Sequence, residues 1–557
     1  MSSTYYFGPI PGVAALLLLW LCTKLILYVW RKSHTVTTEL LGPPSTSHIL
    51  GLTREIIETK DMSTTYEEWA TRYGPAFQVP LMFGRKKVVI TDPKALVHFY
   101  NSERAIYTRP ENDRIFLGKT FGRNVIWAEG DMHKRQRKAL TPAFSNAAIR
   151  RLTAVFFDSA YKLKAFWDAT LESSPDNSAV IEVEEWMNRV ALDSIGIAGF
   201  SHDFRYLEGQ QSAVTAAFEA MSMSDQGMVT AAIFALSIYF PFLFNMPTQR
   251  LRTFRELRRS LYVIAEKLLS NTRREKEGGM GEEFTDKSVI GLLLKAELRD
   301  AGELYMTQEE VVAQNLLLVA GYETTSVSLT WALIELAKHP EKQDKLRKDL
   351  ARFGGTDPTW DQLVSLTELP YLDATVQEVL RLHPPVTETL RVVSQFATQC
   401  ISLQLTCTQA SRDDVIPLGT PVLTPSGETI SHITIAKGTS VMSPLRCVNR
   451  SEALWGPDAK EFRPERWLDD QINQLPAKDL QGHRHILSFH DGPRTCLGKS
   501  FALAEFKAVL SVLIRNYVFE FPDGPNTEIE THVALVPRPK VVGQNSAKVP
   551  LRVRRVD

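Results

Sequence analysis

Residues 485–516 read HILSFHDGPRTCLGKSFALAEFKAVLSVLIRN: a short apolar run, a Gly- and Pro-containing turn around Cys496, then an apolar-periodic helix. A phosphate-binding loop ends in the same Gly-Lys-Ser triplet, but it needs four residues between its glycines, and Gly492 and Gly498 have five, PRTCL. The extra residue misplaces the cradle of backbone N–H groups, and Pro493 removes one of those donors. A buried structural cysteine, the fate of most free cysteines, leaves unexplained why Phe489, Gly492, Arg494, Cys496 and Gly498 occur together as F-x-x-G-x-R-x-C-x-G. An iron-bound thiolate accounts for the set. It requires a loop that approaches a porphyrin closely, glycines that let the backbone do so, and N–H groups that temper the charge on sulfur. A helix starting near Leu497 points its positive end at that sulfur.

Three more motifs lie upstream. Ala320-Gly321-Tyr322-Glu323-Thr324-Thr325 interrupts a long apolar helix, where such a break is costly unless it has a task. Glu378-Val379-Leu380-Arg381 places an acid and a base on one helix face, and Phe462-Arg463-Pro464-Glu465-Arg466-Trp467 follows it. In order and spacing, these motifs and the cysteine loop resemble the cytochrome P-450 family of haem-thiolate monooxygenases, in its microsomal, filamentous-fungal-like form. The resemblance runs from about Leu41 to the end of the chain.

That resemblance implies a mainly α fold with small β-sheets, the cytochrome P-450 fold, preceded by one N-terminal transmembrane helix. It implies haem b, with Cys496 as axial ligand and Phe489, Gly492 and Gly498 shaping the loop. Gly321 is expected to leave room for dioxygen, Thr324 to hydrogen-bond its own helix or bound oxygen, and Glu323 to deliver protons through water. His133, Arg137, Arg391 and Arg494 are expected to meet the haem carboxylates, although His133 stands where many members have Trp. Glu378, Arg381 and Arg466 are expected to form a buried brace. Lys134, Arg135 and Lys138 are expected to be exposed, where an acidic reductase could dock.

Gly12 to Trp30, GVAALLLLWLCTKLILYVW, is 19 residues, which at about 1.5 Å each just spans a hydrocarbon core of about 30 Å. Lys24 lies past its midpoint and can snorkel toward Arg31 and Lys32, and those two cations place the remainder in the cytoplasm. A cleaved signal peptide should have a basic n-region, a shorter apolar core and a small-residue cleavage site, none of which is clear. The expected organisation is a luminal 1–11, an anchor over 12–30, a linker over 31–63 with a stiff Pro43-Pro44 hinge, and a catalytic domain over 64–557. The expected site is the endoplasmic reticulum membrane, crossed once.

The chain has 557 residues, 64 Lys+Arg against 64 Asp+Glu, and five cysteines without a CxxC pair. This excludes a basic nucleic-acid footprint, a disulfide scaffold and a cysteine zinc site. Apolar spacing predicts helices over Tyr66 to Tyr73, Ala147 to Thr170, Glu182 to Phe200, Leu251 to Leu269, Thr307 to Lys338 and Leu503 to Leu513. It predicts strands over Ala76 to Val79, Lys87 to Thr91, Pro421 to Leu423 and Ile433 to Ile435. The run from Met221 to Met246 reads as a lid dipping into the membrane surface. With Ile115 to Trp127, Leu316 to Ala320, Val386 to Leu390 and Val533 to Val536 it is expected to line an apolar pocket.

One segment does not fit. By resemblance Arg391-Val392 should lead almost directly to Ala410, but VSQFATQCISLQLTCTQ (393–409) intervenes, with no charge, Gly or Pro. Loops are normally polar and rich in turn residues. The 17 residues correspond to 51 nucleotides in frame, and Val393-Ser394, Leu405-Thr406 and Thr408-Gln409 can encode a 5′ splice signal, a branch site and a 3′ splice end. The segment therefore reads as translated intron sequence.

The expected function is oxygen activation with electrons from NADPH, passed by cytochrome P-450 reductase and in some cycles by cytochrome b5. The product is a hydroxylated or epoxidised lipophilic substrate: a terpenoid, another secondary metabolite or a polycyclic aromatic. The competing readings are a haem-thiolate isomerase or dehydratase, and a haem- or sterol-binding membrane protein without turnover.

Overall fold

A helix that is apolar on every side can be stable only inside a protein or a membrane. The helical run 308–338, the one stretch of membrane-spanning length and hydropathy found among the described residues, is mostly buried in the protein's own core. The computed structural model describes residues 37–210, 304–393 and 413–556, apart from 60, 104, 105, 469, 470, 533 and 535, together with positions 20, 23 and parts of 252–293. The expected membrane span, the lid over 221–246 and most of the 393–409 segment lie outside the described residues.

The principal helices are α1 (Met62–Tyr73), α2 (Pro93–Ser102), α3 (Gly130–Leu140), α4 (Asn146–Glu172), α5 (Val183–Phe200), α6 (Leu316–Lys338), α7 (Pro370–Leu382) and α8 (Lys499–Asn516). Their starts follow local chemistry. Ser145 caps α4 by accepting from the Ala148 N–H, Asp92 caps α2 through Ala95, and Pro370 opens α7 where no N–H is needed. Along α4 the residues Ile149, Thr153, Phe156, Ala160, Leu163, Trp167 and Leu171 are buried at three- and four-residue intervals. Phe156 of this stripe meets Phe501 of α8 edge to face at 4.9 Å.

The predicted helix from Thr307 to Lys338 is two helices in the structure. Gln308–Ala313 ends at Gln314-Asn315, and α6 begins beyond them. The break arises because Gln314, fully buried, turns its amide to the Glu310 carbonyl and accepts from the Val125 N–H.

The strands are β1 (Ala76–Pro80), β2 (Lys86–Ile90), β3 (Tyr107–Thr108), β4 (Ser178–Glu182), β5 (Thr389–Val393), β6 (Asp414–Leu423), β7 (Thr429–Ile435), β8 (Ser440–Ser443), β9 (Tyr517–Glu520), β10 (Ile529–His532), β11 (Arg538–Val541) and β12 (Pro550–Arg555). One sheet has the order β1-β2-β8-β5-β3, a second is β4-β12-β9, and β6-β7 and β10-β11 are antiparallel pairs. In the first sheet Arg391 is opposite Val441. The two predicted strands at 421–423 and 433–435 are the ends of one long hairpin, β6-β7.

The linker expectation is corrected in its described part. The Thr38 N–H donates to the Thr434 carbonyl, the Gln78 N–H donates to the Leu41 carbonyl, and Leu40 and Leu52 are buried. A Cβ on Gly42 would lie 1.8 Å from the Gln78 carbonyl oxygen. Residues 37–42 are thus fastened to β7 and along β1.

Candidate active site

Between Leu316 and Thr330 only Leu317, Ala320, Gly321 and Thr324 are partly exposed; the rest are buried. Their three- and four-residue spacing puts them on one stripe, so α6 opens a single face of itself to a space inside the protein. The Thr324 hydroxyl donates to the Ala320 carbonyl at 2.8 Å and the Thr325 hydroxyl to the Gly321 carbonyl at 2.9 Å. Such back-bonding loosens a helix locally and leaves each hydroxyl oxygen free to accept. A Cβ on Gly321 would lie 2.1 Å from Ile195 Cδ1, so the missing side chain also makes room for Ile195 of α5.

The cysteine loop is held shut by its backbone. The Cys496 N–H donates to the Phe489 carbonyl at 2.8 Å, and the Thr495 N–H and hydroxyl both donate to the Gly492 carbonyl. Gly492 sits at φ +65°, and a Cβ would lie 2.5 Å from the Tyr100 carbonyl oxygen, so no other residue fits. Phe489 is buried against His483. Gly498 precedes α8, and the nearest atom to a Cβ there is Phe144 Cε1 at an ordinary 3.8 Å, so the fold itself does not require the glycine. Of the two free cysteines among the described residues, Cys447 is buried and Cys496 is exposed. Although Cys496 is exposed, enough protein surrounds its thiol for desolvation to raise the pKa, opposed by the Gly498 N–H and then Arg137 and Lys499.

Behind the loop lies a buried brace. Arg381 donates to both Glu378 carboxylate oxygens at 2.9 and 2.8 Å, and also to the carbonyls of Asn449 and Ala459. Glu378 further accepts from the Trp467 indole, the Arg463 N–H and, at 3.4 Å, Arg466. Coulombic attraction from these arginines outweighs desolvation and holds the Glu378 carboxyl below the usual range. The brace reaches the cysteine loop through Asn449, which accepts from the Leu487 N–H and donates to Ser488.

The cationic residues are placed unevenly. His133 is buried on α3; Arg137, one turn on, is half-buried and close enough to Cys496 to feel a charge there. Arg494 donates to the Ala128 carbonyl at 3.0 Å and to the Glu129 carboxylate, so its guanidinium is tied to the entrance of α3. Arg391 lies on β5, and its side chain falls outside the described residues. Arg135 departs from the expected exposed cation: it pairs with Glu310 at 2.5 Å and donates to the Tyr305 carbonyl. Lys134 and Lys138 do lie exposed on that helix. A cavity of about 1200 Å³ elsewhere, bordered by Ala70, Asp92, Gly419 and Arg450, contains none of the expected pocket residues.

Two charged residues of this site have no sequence signal. Arg538 on β11 donates to Glu323 at 3.1 Å and to Glu184 of α5 at 3.0 Å, all three buried. The second Glu323 oxygen, Oε2, has no hydrogen-bond partner among the described residues. Two carboxylates share one guanidinium in a dry core, so desolvation wins and both carboxyl pKa values are raised. Glu323 thus belongs to a buried ion triad with Arg538 and Glu184. Replacing Arg538 with Ala leaves two uncompensated acids and is expected to cost about 3–5 kcal/mol by chemical denaturation. R538A paired with E184Q should recover part of that loss.

A model of the family described as cytochrome P-450 matches residues 41–399 and 413–543. The chain is 54% identical over 562 residues to cytochrome P-450 monooxygenase claP of Ampulloclitocybe clavipes, covering 100% of both chains. It is 53% identical to claW of the same fungus, covering 97% of this chain and 96% of that one. Cytochrome P-450 monooxygenase 205 of Postia placenta is 34% identical, with 98% and 97% covered.

Proposed function

We propose, since the chain belongs to the cytochrome P-450 family and is a haem-thiolate monooxygenase, that it hydroxylates or epoxidises a lipophilic small molecule with electrons passed from NADPH by a membrane reductase. Haem b, which proteins of this family hold through a cysteine thiolate, supplies the oxygen and redox chemistry when bound. We assign Cys496 as its ligand. The observation that carries this is a free, exposed cysteine in a loop closed by the Cys496 N–H on the Phe489 carbonyl and by Thr495 on the Gly492 carbonyl. Gly498 fits the assignment, because the fold makes no steric demand for it while a flat group over the sulfur does.

The side chains around that place have separable tasks. Arg137 and His133 on α3, with Arg391 and Arg494, would neutralise the two haem carboxylates. Arg494 would exchange or share its Glu129 contact to do so. Leu317 and Ala320 present apolar surface and exclude water. Glu323 holds a proton at its unpartnered Oε2 while Arg538 fixes Oε1, and the neighbouring Thr324 hydroxyl accepts and passes hydrogen bonds on the open stripe. Replacing Glu323 with Gln is expected to slow coupled oxidation about 10²-fold, the usual worth of a positioned general acid. The solvent deuterium isotope effect on NADPH-driven product formation should rise in the variant. An unchanged rate and isotope effect would remove Glu323 from the proton path.

A membrane address follows from the sequence: an anchor over 12–30, a single crossing of the endoplasmic reticulum membrane and a cytoplasmic body. Reductase, with cytochrome b5 as an auxiliary donor, would dock on the face carrying Lys134 and Lys138. The monooxygenase names of the relatives favour turnover over a haem- or sterol-binding role without chemistry. Terpenoids and other lipophilic secondary metabolites, or polycyclic aromatics, are the substrate classes to screen. Product profiling in a host that supplies reductase tests this, and failure to oxidise any member of those classes counts against it.

The segment 393–409 is proposed as translated intron sequence. The family match is interrupted between 399 and 413, a gap that overlaps this segment while leaving 393–399 inside the match. Sequencing the spliced transcript should find the 51 nucleotides removed; their presence in mature message contradicts the proposal.

A further inference from the structure

Six residues before Cys496 the chain turns at His490 with φ +64°, a left-handed conformation uncommon outside glycine. That rotation sets how the Phe489–His490 peptide lies against the rest of the loop, and both faces of the peptide are used. The His490 N–H donates to the Leu487 carbonyl at 2.8 Å, and the Phe489 carbonyl accepts from the Cys496 N–H at 2.8 Å. A glycine would hold this turn without strain, as Gly492 does two residues on at φ +65°. A side chain kept at such a position needs a reason, and its contacts supply one.

The imidazole is held by α2 and β5 together. Its Nε2 lies 3.0 and 3.2 Å from the two carboxylate oxygens of Glu103, which is fully buried at the end of α2. Its Nδ1 lies 3.3 Å from the Thr389 hydroxyl on β5, two positions before Arg391. The ring stands edge-on to Tyr100 of α2, with centroids 4.6 Å apart and planes at 78°. These contacts close into a ring: the Tyr100 hydroxyl donates to Ser443 of β8 at 3.0 Å, and Ser443 is opposite Thr389 in the sheet. One neutral tautomer satisfies the histidine, with the Nε2 hydrogen shared by the two Glu103 oxygens and the Thr389 hydroxyl donating to Nδ1. An imidazolium bonds Glu103 through the same Nε2, so the anchor does not depend on the charge of the ring.

We propose that His490 is a positioning residue for the sulfur ligand: its anchored imidazole holds the left-handed turn, the turn aims the Phe489 carbonyl at the Cys496 N–H, and that bond fixes where the sulfur stands. His490 acts through the backbone and touches no reacting atom. Glu103 and Thr389 tie the same turn to α2 and to the strand of Arg391, so the cysteine loop and β5 keep one mutual position. The consequence for iron rests on the haem-thiolate reading of Cys496, whereas the anchor itself does not.

Resonance Raman spectroscopy on the full-length, haem-loaded ferric protein tests it by reading the iron–sulfur stretch. In H490A and in H490G the stretch should shift or broaden, and the reduced carbon monoxide form should lose its thiolate-type Soret band about tenfold faster than wild type. Glycine takes the turn without strain, so H490G should unfold at a denaturant midpoint closer to wild type than H490A does, yet move the stretch as far, because both have lost the ring. A merely structural histidine would lower the midpoint and leave the stretch and the rate of band loss unmoved; that result overturns the proposal. E103L should move the stretch in the same direction as H490A, and the double variant should fall short of the sum of the two single losses of stability. Additive losses overturn the anchor. Should the wild type itself show no iron–sulfur stretch, the haem reading fails and the effect on iron with it, while the H490A and E103L cycle in the denaturant midpoint still decides the anchor.

Discussion

Replacing Cys496 with Ser is expected to leave the fold intact and to reduce monooxygenase turnover by at least about 10³-fold, equivalent to about 4 kcal/mol of barrier. The fold survives because the loop is closed by groups the substitution does not touch: the Cys496 N–H on the Phe489 carbonyl, the Thr495 hydroxyl on the Gly492 carbonyl, and Gly492 seated against Tyr100. Activity does not survive, because a neutral hydroxyl lacks the electron donation that favours O–O cleavage. The measurement is paired: denaturant midpoint and product formation with reductase. A serine variant that turns over within about tenfold of wild type removes Cys496 from the chemistry. One that no longer folds makes the cysteine structural.

The largest stability effect is expected at Arg381. It is completely buried, and its loss removes the two-pronged contact with Glu378 and the donor to two carbonyls at once. Breaking one side of a buried ion pair costs about 3–5 kcal/mol, against a typical total of about 5–15 kcal/mol for a whole domain. R381A should therefore express as insoluble or haem-poor protein. R381K should recover little, because an ammonium cannot reproduce the two-pronged contact with Glu378. The exposed Arg54–Glu58 pair is the control; its loss should change neither yield nor haem content. Soluble, haem-replete R381A contradicts the view that this brace holds the cysteine loop through Asn449.

The parts of the site readable from the residues are those whose chemistry is confined to a few neighbouring positions. The F-x-x-G-x-R-x-C-x-G loop, the i,i+3 pair of Glu378 and Arg381, and the hydroxyl-rich turn of α6 each declare themselves within ten residues. What was not readable is built across long sequence separations. Arg538 reaches Glu323 over 215 positions. The strand β8 is short and mostly buried, without the alternation that marks a half-exposed strand. Arg135 looked like a free surface cation because its partner, Glu310, is 175 positions away.

The central claim is that Cys496 binds haem iron as a thiolate, and the carbon monoxide difference spectrum of the reduced, purified full-length protein tests it most directly. A Soret maximum at about 450 nm in wild type, lost in C496S, is the result expected of sulfur donation to iron. A wild-type maximum only at the shorter wavelength of a neutral or nitrogen ligand, or a 450-type band that persists in C496S, contradicts it.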